Sequence, residues 1–225
     1  MPGPVWDADD PADEGRILAN VASLITKLRA DASRDAVPSL GKVQRLHAAC
    51  YTGCKLPAAG YAGHFRGDPS VPDLIGYEVG VGPLQPDGWP SKVGVPSTQV
   101  RRAVSQLLDQ TRAGVRRLDT VLPEGGRTTD STQLRAITSL AAAVHGEWVR
   151  IHPYANGNGR TARVWAAWVA LRYHVPVFVS VKPRPNDAAY AIASARSMGR
   201  PPDFVGDHSL AQVVFADMLI QVLRP

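Results

Sequence analysis

Residues His152 to Arg163 read HPYANGNGRTAR: a histidine, two Asn-Gly pairs and two arginines three apart, with no cysteine and no carboxylate. Gly157 and Gly159 let a backbone approach a ligand closely and turn its N–H groups onto it. A helix opening at Arg160 would offer first-turn N–H groups that lack intrahelical partners and carry the positive end of the dipole. That combination binds phosphate. Asn158 adds a side-chain amide donor. Arg160 and Arg163 share one face of the first turn and suit a polyphosphate better than a single carboxylate. His152, on the opposite lip, can take a proton from an incoming hydroxyl at neutral pH. The oxygen would then attack phosphorus while the arginines hold the pyrophosphate side. Plainer readings exist for each part. Asn-Gly marks hairpin turns, a histidine at a helix end is often a cap, and arginines can form a solvated face. The flanks, however, have helical and not alternating period. A strongly apolar stretch follows Arg163 at once, which draws at least one arginine inside, where it needs an anion.

The elements that must position these residues are helical. Residues 132–151 place Leu134, Ile137, Leu140, Ala141, Val144, Trp148 and Ile151 at three- and four-residue steps, with Asp130 or Ser131 as cap. Residues 160–174 are apolar nearly all round after the first turn, which predicts a central, buried helix. Further helices are expected over 14–33, over 39–53 with Ser39 as N-cap, and over 97–122, 185–199 and 209–223. Between 55 and 97 the chain is rich in Pro and Gly, and LIGYEVGVG has β-type composition, so a short hairpin is expected there. PVFVS (176–180) could be extended. The fold class is mainly α with one β excursion. We read 14–225 as a single domain and 1–13 as an acidic, flexible arm.

Charge and composition narrow the function. The net charge is +5, but residues 1–15 hold five acids and no base, so the remainder carries 25 bases against 15 acids. Such an excess favours an anionic ligand. The arginines gather at the glycine-rich stretch, which favours a nucleotide; no basic run with interleaved aromatics argues for nucleic acid. No apolar run approaches the ~18 residues of a membrane span, and the acidic start is no secretory signal, so a cytoplasmic protein is expected. Cys50 and Cys54 lie one turn apart near His47. Three such ligands make a poor zinc signature, and buried free thiols are expected instead.

HPYANGNGRTAR resembles the motif HPFx(D/E)GNGRxxR of the Fic (Fic/Doc) family, with Tyr154 in the place of Phe. AGHFRG (62–67) is similar to the family's GxxR element, and AAYAIASARSMG (188–199) to the helix that follows the motif. The resemblance implies a Fic-type helical bundle with a hairpin flap, and transfer of AMP from ATP to a Ser, Thr or Tyr hydroxyl of a target protein. It makes His152 the general base, Tyr154 a core anchor, and Gly157, Asn158 and Gly159 the anion hole. Arg160 and Arg163 would hold the β- and γ-phosphates. The flap, within 62–82, would clamp the target by strand addition. Asn156 departs from the family's acid, which holds the Mg²⁺ that bridges the phosphates. An amide oxygen can ligate Mg²⁺ but brings no charge. Another phosphoryl or nucleotidyl transfer, or a nucleotide-binding module with impaired catalysis, are the alternatives. The family's inhibitory pattern (S/T)xxxE(G/N) is spelled only by TVLPEG (Thr120 to Gly125), with Pro123 inside it, and no glutamate follows the motif. Either no such restraint or a separate antitoxin-like partner that supplies it is therefore expected.

Overall fold

The computed structural model describes residues 3–31, 37–88, 90–122, 128 and 130–224. Seven α-helices and one hairpin are seen among them: α1 Glu14–Asp31, α2 Leu40–Cys50, β1 Gly80–Leu84, β2 Pro90–Val93, α3 Val100–Asp119, α4 Ser131–Ile151, α5 Asn158–Arg172, α6 Ala188–Ser197 and α7 Ser209–Leu223. Short 3-10 turns precede α1 and α3 and lie at Pro72–Leu74. No helix among the described residues is long and apolar enough to cross a membrane.

The helix starts follow from capping chemistry. The Ser39 hydroxyl accepts from the Lys42 N–H at the start of α2, and the Asp130 carboxylate accepts from the Gln133 N–H at the start of α4. Each satisfies a backbone donor that the helix itself cannot. Helix α5 is the hub: every residue from Arg160 to Leu171 is buried. It packs along α4 and against α1, while α4 also meets α3, α6 and α7. Trp148 of α4 and Trp165 and Trp168 of α5 fill the centre, with ring centroids 5.7 Å apart for Trp148–Trp165 and 6.1 Å for Trp165–Trp168. An all-round apolar helix can bury itself only in this central place.

Two regions depart in detail from the sequence expectation. The hairpin lies within 55–97 as expected, but it begins at Gly80 and runs to Val93, past the end of the narrower 62–82 window, with Gly80 opposite Val93 and Leu84 opposite Pro90. Residues 74–79 of the β-like run form no strand. Leu74 and Tyr77 are instead buried in a packed loop, and the Tyr77 carbonyl accepts from Arg66. Strand pairing is set by a partner, and Pro90–Val93 has too little alternation to announce itself. PVFVS is likewise not a strand; Phe178 and Val179 are buried in the loop after α5.

Of the acidic segment expected as a flexible arm, the described part, residues 3–13, is seated on the core by Trp6. Trp6 is buried, with ring centroids 4.6 Å from Tyr51 and 5.9 Å from His47. One aromatic anchor is enough to seat a segment whose charges otherwise face water. Of the TVLPEG stretch, Pro123 to Gly125 lie outside the described residues.

Candidate active site

His152 ends α4 in the left-handed conformation (φ 53°, ψ 58°), and its N–H donates to the Trp148 carbonyl as a helix cap. A non-glycine residue there costs about 1–2 kcal/mol and needs support from its surroundings. Arg66 supplies it. This side chain is fully buried: its Nε donates to the His152 carbonyl at 2.8 Å, and one terminal nitrogen donates to the carbonyls of Ile151 and Val95. The other donates to Glu78 and to Tyr77. The Arg66 N–H donates to the Pro153 carbonyl at 2.8 Å. AGHFRG thus contributes a clasp that fixes the backbone of the histidine. Gly94 lies on the other side, where a Cβ would come within 2.7 Å of the His152 Cβ.

The ring of His152 is half-buried, and its Nδ1 lies 3.0 Å from the Val149 carbonyl. A carbonyl can only accept, so Nδ1 carries the proton and Nε2 keeps its lone pair. Burial, with Arg66 nearby, pushes the imidazole down to about 4 against the pull of the Val149 carbonyl. The ring is neutral at pH 7 and able to take a proton.

The loop after Pro153 is stapled shut by its own side chains. Asn158 is buried; its Oδ1 accepts from the Tyr154 N–H and its Nδ2 donates to the Tyr154 carbonyl. The Asn158 amide expected as a donor thus spends one of its two Nδ2 hydrogens on closing the loop, and the Asn158 backbone N–H stands at the start of α5. Gly157, the N-cap of α5, sits at φ 75°, and a Cβ there would lie 2.0 Å from the Tyr51 hydroxyl. The N–H groups of Asn158, Gly159 and Arg160 form the first turn without intrahelical acceptors. Tyr154 is fully buried and donates to the Val43 carbonyl, which makes it the anchor expected.

Both motif arginines are buried. Arg163 donates to the Val181 carbonyl and to the Tyr190 hydroxyl, which also lies 3.0 Å from Nε2 of buried His145. Arg163 has no carboxylate partner among the described residues. Arg160 donates to the Tyr51 hydroxyl, the Ala8 carbonyl and the Asp9 carboxylate. His152, the α5 N-terminus and both arginines line one cavity of about 280 Å³. Val81 of the hairpin, Val149 of α4, Ala191 of α6 and Met198 just after it form its apolar side.

Three charged lining residues were not singled out from the sequence: Asp9, Lys182 and Arg184. Lys182 and Arg184 lie in a proline-rich loop with no periodicity, and Asp9 lies more than 140 residues before the motif. Their only trace in the sequence is charge. Asp9 is drawn up by burial, but Arg160 and Lys182 outweigh that and hold its carboxyl below the usual range.

Asn156, the position expected to take a metal, does not fit that use. Its Nδ2 donates to the Trp6 carbonyl and its Oδ1 accepts from the Gly157 N–H at 2.6 Å. Both ends of the amide are committed to backbone. No three His, Cys, Asp or Glu side chains among the described residues gather as a metal site. His47 is likewise committed: the Gly63 N–H donates to Nδ1, so Nε2 carries the proton to the Asn156 carbonyl at 3.1 Å. Cys50 is buried and Cys54 half-buried, both as free thiols.

Comparison with known proteins bears on the fold. The Fic/DOC family model matches residues 85–170, a span from the hairpin to the last turn of α5. No curated protein matches the sequence. Among solved structures, the chain is similar to a Fic domain containing signaling protein from Bacteroides thetaiotaomicron. The TM-score is 0.61 at 16% identity, over 91% of this chain and 68% of that one. It is also similar to the N-terminal Fic domain of a Bartonella effector protein from Bartonella sp. AR 15-3. There the TM-score is 0.53 at 13% identity, over 94% of this chain and 84% of that one. At such identities the likeness is one of fold.

Proposed function

We propose that this protein is a Fic-type transferase that moves AMP from ATP to a Ser, Thr or Tyr hydroxyl of a target protein. The observation that carries the reading is one cavity holding both a neutral histidine with a free Nε2 and a buried arginine, Arg163, with no carboxylate in direct contact among the described residues. A buried cation without a counter-anion is costly, and a bound phosphate chain relieves that cost. In the step proposed, the target hydroxyl gives its proton to His152 Nε2 and its oxygen attacks the α-phosphorus. The bond from phosphorus to the bridging oxygen breaks, and pyrophosphate leaves against Arg160, Arg163 and the N-terminus of α5. The target segment would lie along β1, an exposed strand that pairs with β2 on one side and with no strand on the other among the described residues. A separate antitoxin-like protein would restrain the enzyme.

Incubation of the protein and a cell lysate with ATP labelled at the α-phosphate tests this. A labelled protein band that disappears with His152→Ala is the expected result. Label arriving only from γ-labelled ATP would replace nucleotidyl transfer with phosphoryl transfer on the same scaffold.

A further inference from the structure

The Asp9 carboxylate marks a point inside the cavity. Its Oδ1 accepts from Arg160 and also from the Lys182 ammonium, 3.2 Å away. Lys182 comes from the loop after α5 and Arg160 from the first turn of α5, so two separate elements aim their cations at one oxygen. The Lys182 side chain is only 13% exposed, whereas Asp9 is 68% exposed. The cations are therefore built in, and the anion between them is the solvent-facing partner. Glu14 Oε1 also lies 3.5 Å from the Lys182 ammonium. Arg184 adds a further cation to the cavity lining. Four cations face the cavity, more charge than one phosphate monoester of about −2 would need. Asn156 brings no charge to balance them.

We propose that Lys182 is a third arm of the phosphate clamp. With Arg160 it grips the terminal phosphate of a nucleoside triphosphate at the point that Asp9 Oδ1 occupies, and Asp9 swings out as the nucleotide enters. This rests on the nucleotidyl-transfer reading above. The clamp gives the site a preference for triphosphate over monophosphate through the protein's own cations, where an acidic motif residue would have recruited a metal ion.

Titration calorimetry of the full chain with ATP and with AMP, in EDTA and again in Mg²⁺, tests the proposal. A charge-assisted hydrogen bond lost from a buried site costs about 10- to 100-fold in affinity. Lys182→Met should lose that much for ATP in EDTA while AMP binding stays within about twofold. Lys182→Arg should keep most of the ATP affinity, which separates loss of charge from loss of fold, and the thermal midpoint of each variant checks the fold directly. Asp9→Asn should bind ATP several-fold more tightly, because the competing anion is gone. Unchanged ATP affinity in Lys182→Met, with the wild type binding ATP, would overturn the role of Lys182 and leave the nucleotide site standing. Weaker ATP binding in Asp9→Asn would overturn the shared point. A wild type that binds neither nucleotide would remove both this inference and the function it rests on.

Discussion

The two histidines beside the motif loop have opposite fates. His47, on the α2 side, stacks on Tyr154 at 3.6 Å and 9°, and both of its ring nitrogens meet backbone groups. His152, on the cavity side, meets a carbonyl with Nδ1 only. The same contrast runs through their neighbours. Asn156 and Asn158 have both ends of their amides spent on backbone. Arg163 touches no carboxylate among the described residues, and Arg160 and Lys182 share one oxygen of a mostly exposed acid. Where every polar atom is answered inside the chain, the residue is building the loop. Where capacity is left open toward a cavity, the residue is available to a ligand.

The largest effects should fall on the two histidines and should be of different kinds. His152→Ala removes the proton acceptor and should lower the transfer rate by about 10²–10⁴-fold with little change in stability. His47→Phe keeps the ring stacked on Tyr154 but orphans the Gly63 N–H and the Asn156 carbonyl. Each orphan costs about 1–3 kcal/mol, read as a lower denaturation midpoint. Single-turnover rates and urea unfolding on both variants make the check. A His152 variant that is mainly unstable, or a His47 variant that is stable but inactive, would break the contrast.

Gly94→Ala comes next. The added methyl would press on the His152 Cβ, the Arg66 guanidinium and the Ile151 carbonyl, all within 3.1 Å. Displacing a catalytic group by about 1 Å costs on the order of 10²-fold in rate. Nucleotide affinity should change little, because α5 and its arginines are not touched. A rate near wild type would mean that the clasp around His152 has slack.

Acidification separates the closed and open sides further. Burial holds His47 and His145 down to about 3, far below the ordinary histidine value of 6.5. The folded state then binds fewer protons than the unfolded chain between those values. Their contribution is complete above about pH 6.5 and is lost as the pH falls toward 3, by up to about 1.4 kcal/mol per pH unit for each. His152, held at about 4, stays neutral over most of that window. Between pH 7 and 5 the unfolding midpoint should fall steadily while kcat/KM of the folded enzyme shows no histidine inflection. An inflection near 6.5 in kcat/KM would show that His152 titrates as an exposed ring.

Much of this arrangement is legible in the sequence, and the reason is locality. The stripe of α4, the all-round apolarity of α5 and the caps Ser39 and Asp130 are properties of neighbouring residues, and the structure follows each of them. His152, Gly157, Arg160 and Arg163 are brought together by one helix end, one loop and one helix start. What escapes the sequence is non-local. The strand Pro90–Val93 exists because Gly80–Leu84 lies beside it. Lys182 and Asp9 meet Arg160 only after the chain has folded. The commitment of Asn158 to Tyr154 is local, but composition does not say which way an amide turns.

Asn156 gives the smallest expected effect and the most discriminating one. As a clasp, it needs an amide: Nδ2 donates to the Trp6 carbonyl, and an Asp oxygen in its place would face that carbonyl with no proton to share. Asn156→Asp should therefore loosen the segment that carries Trp6 and Asp9. The loss of one hydrogen bond is worth about 1 kcal/mol, roughly fivefold in a local opening equilibrium. Amide exchange over residues 5–10 should quicken by about that factor, while exchange in α5 stays as it was. Asn156→Ala, which loses the same bond without adding charge, should loosen the segment to a similar extent. If the aspartate variant instead leaves the segment in place and makes transfer rise with Mg²⁺, position 156 is a metal position that this chain has left uncharged. The two outcomes move different observables, exchange near the N-terminus or metal dependence of the rate, so one variant decides between them.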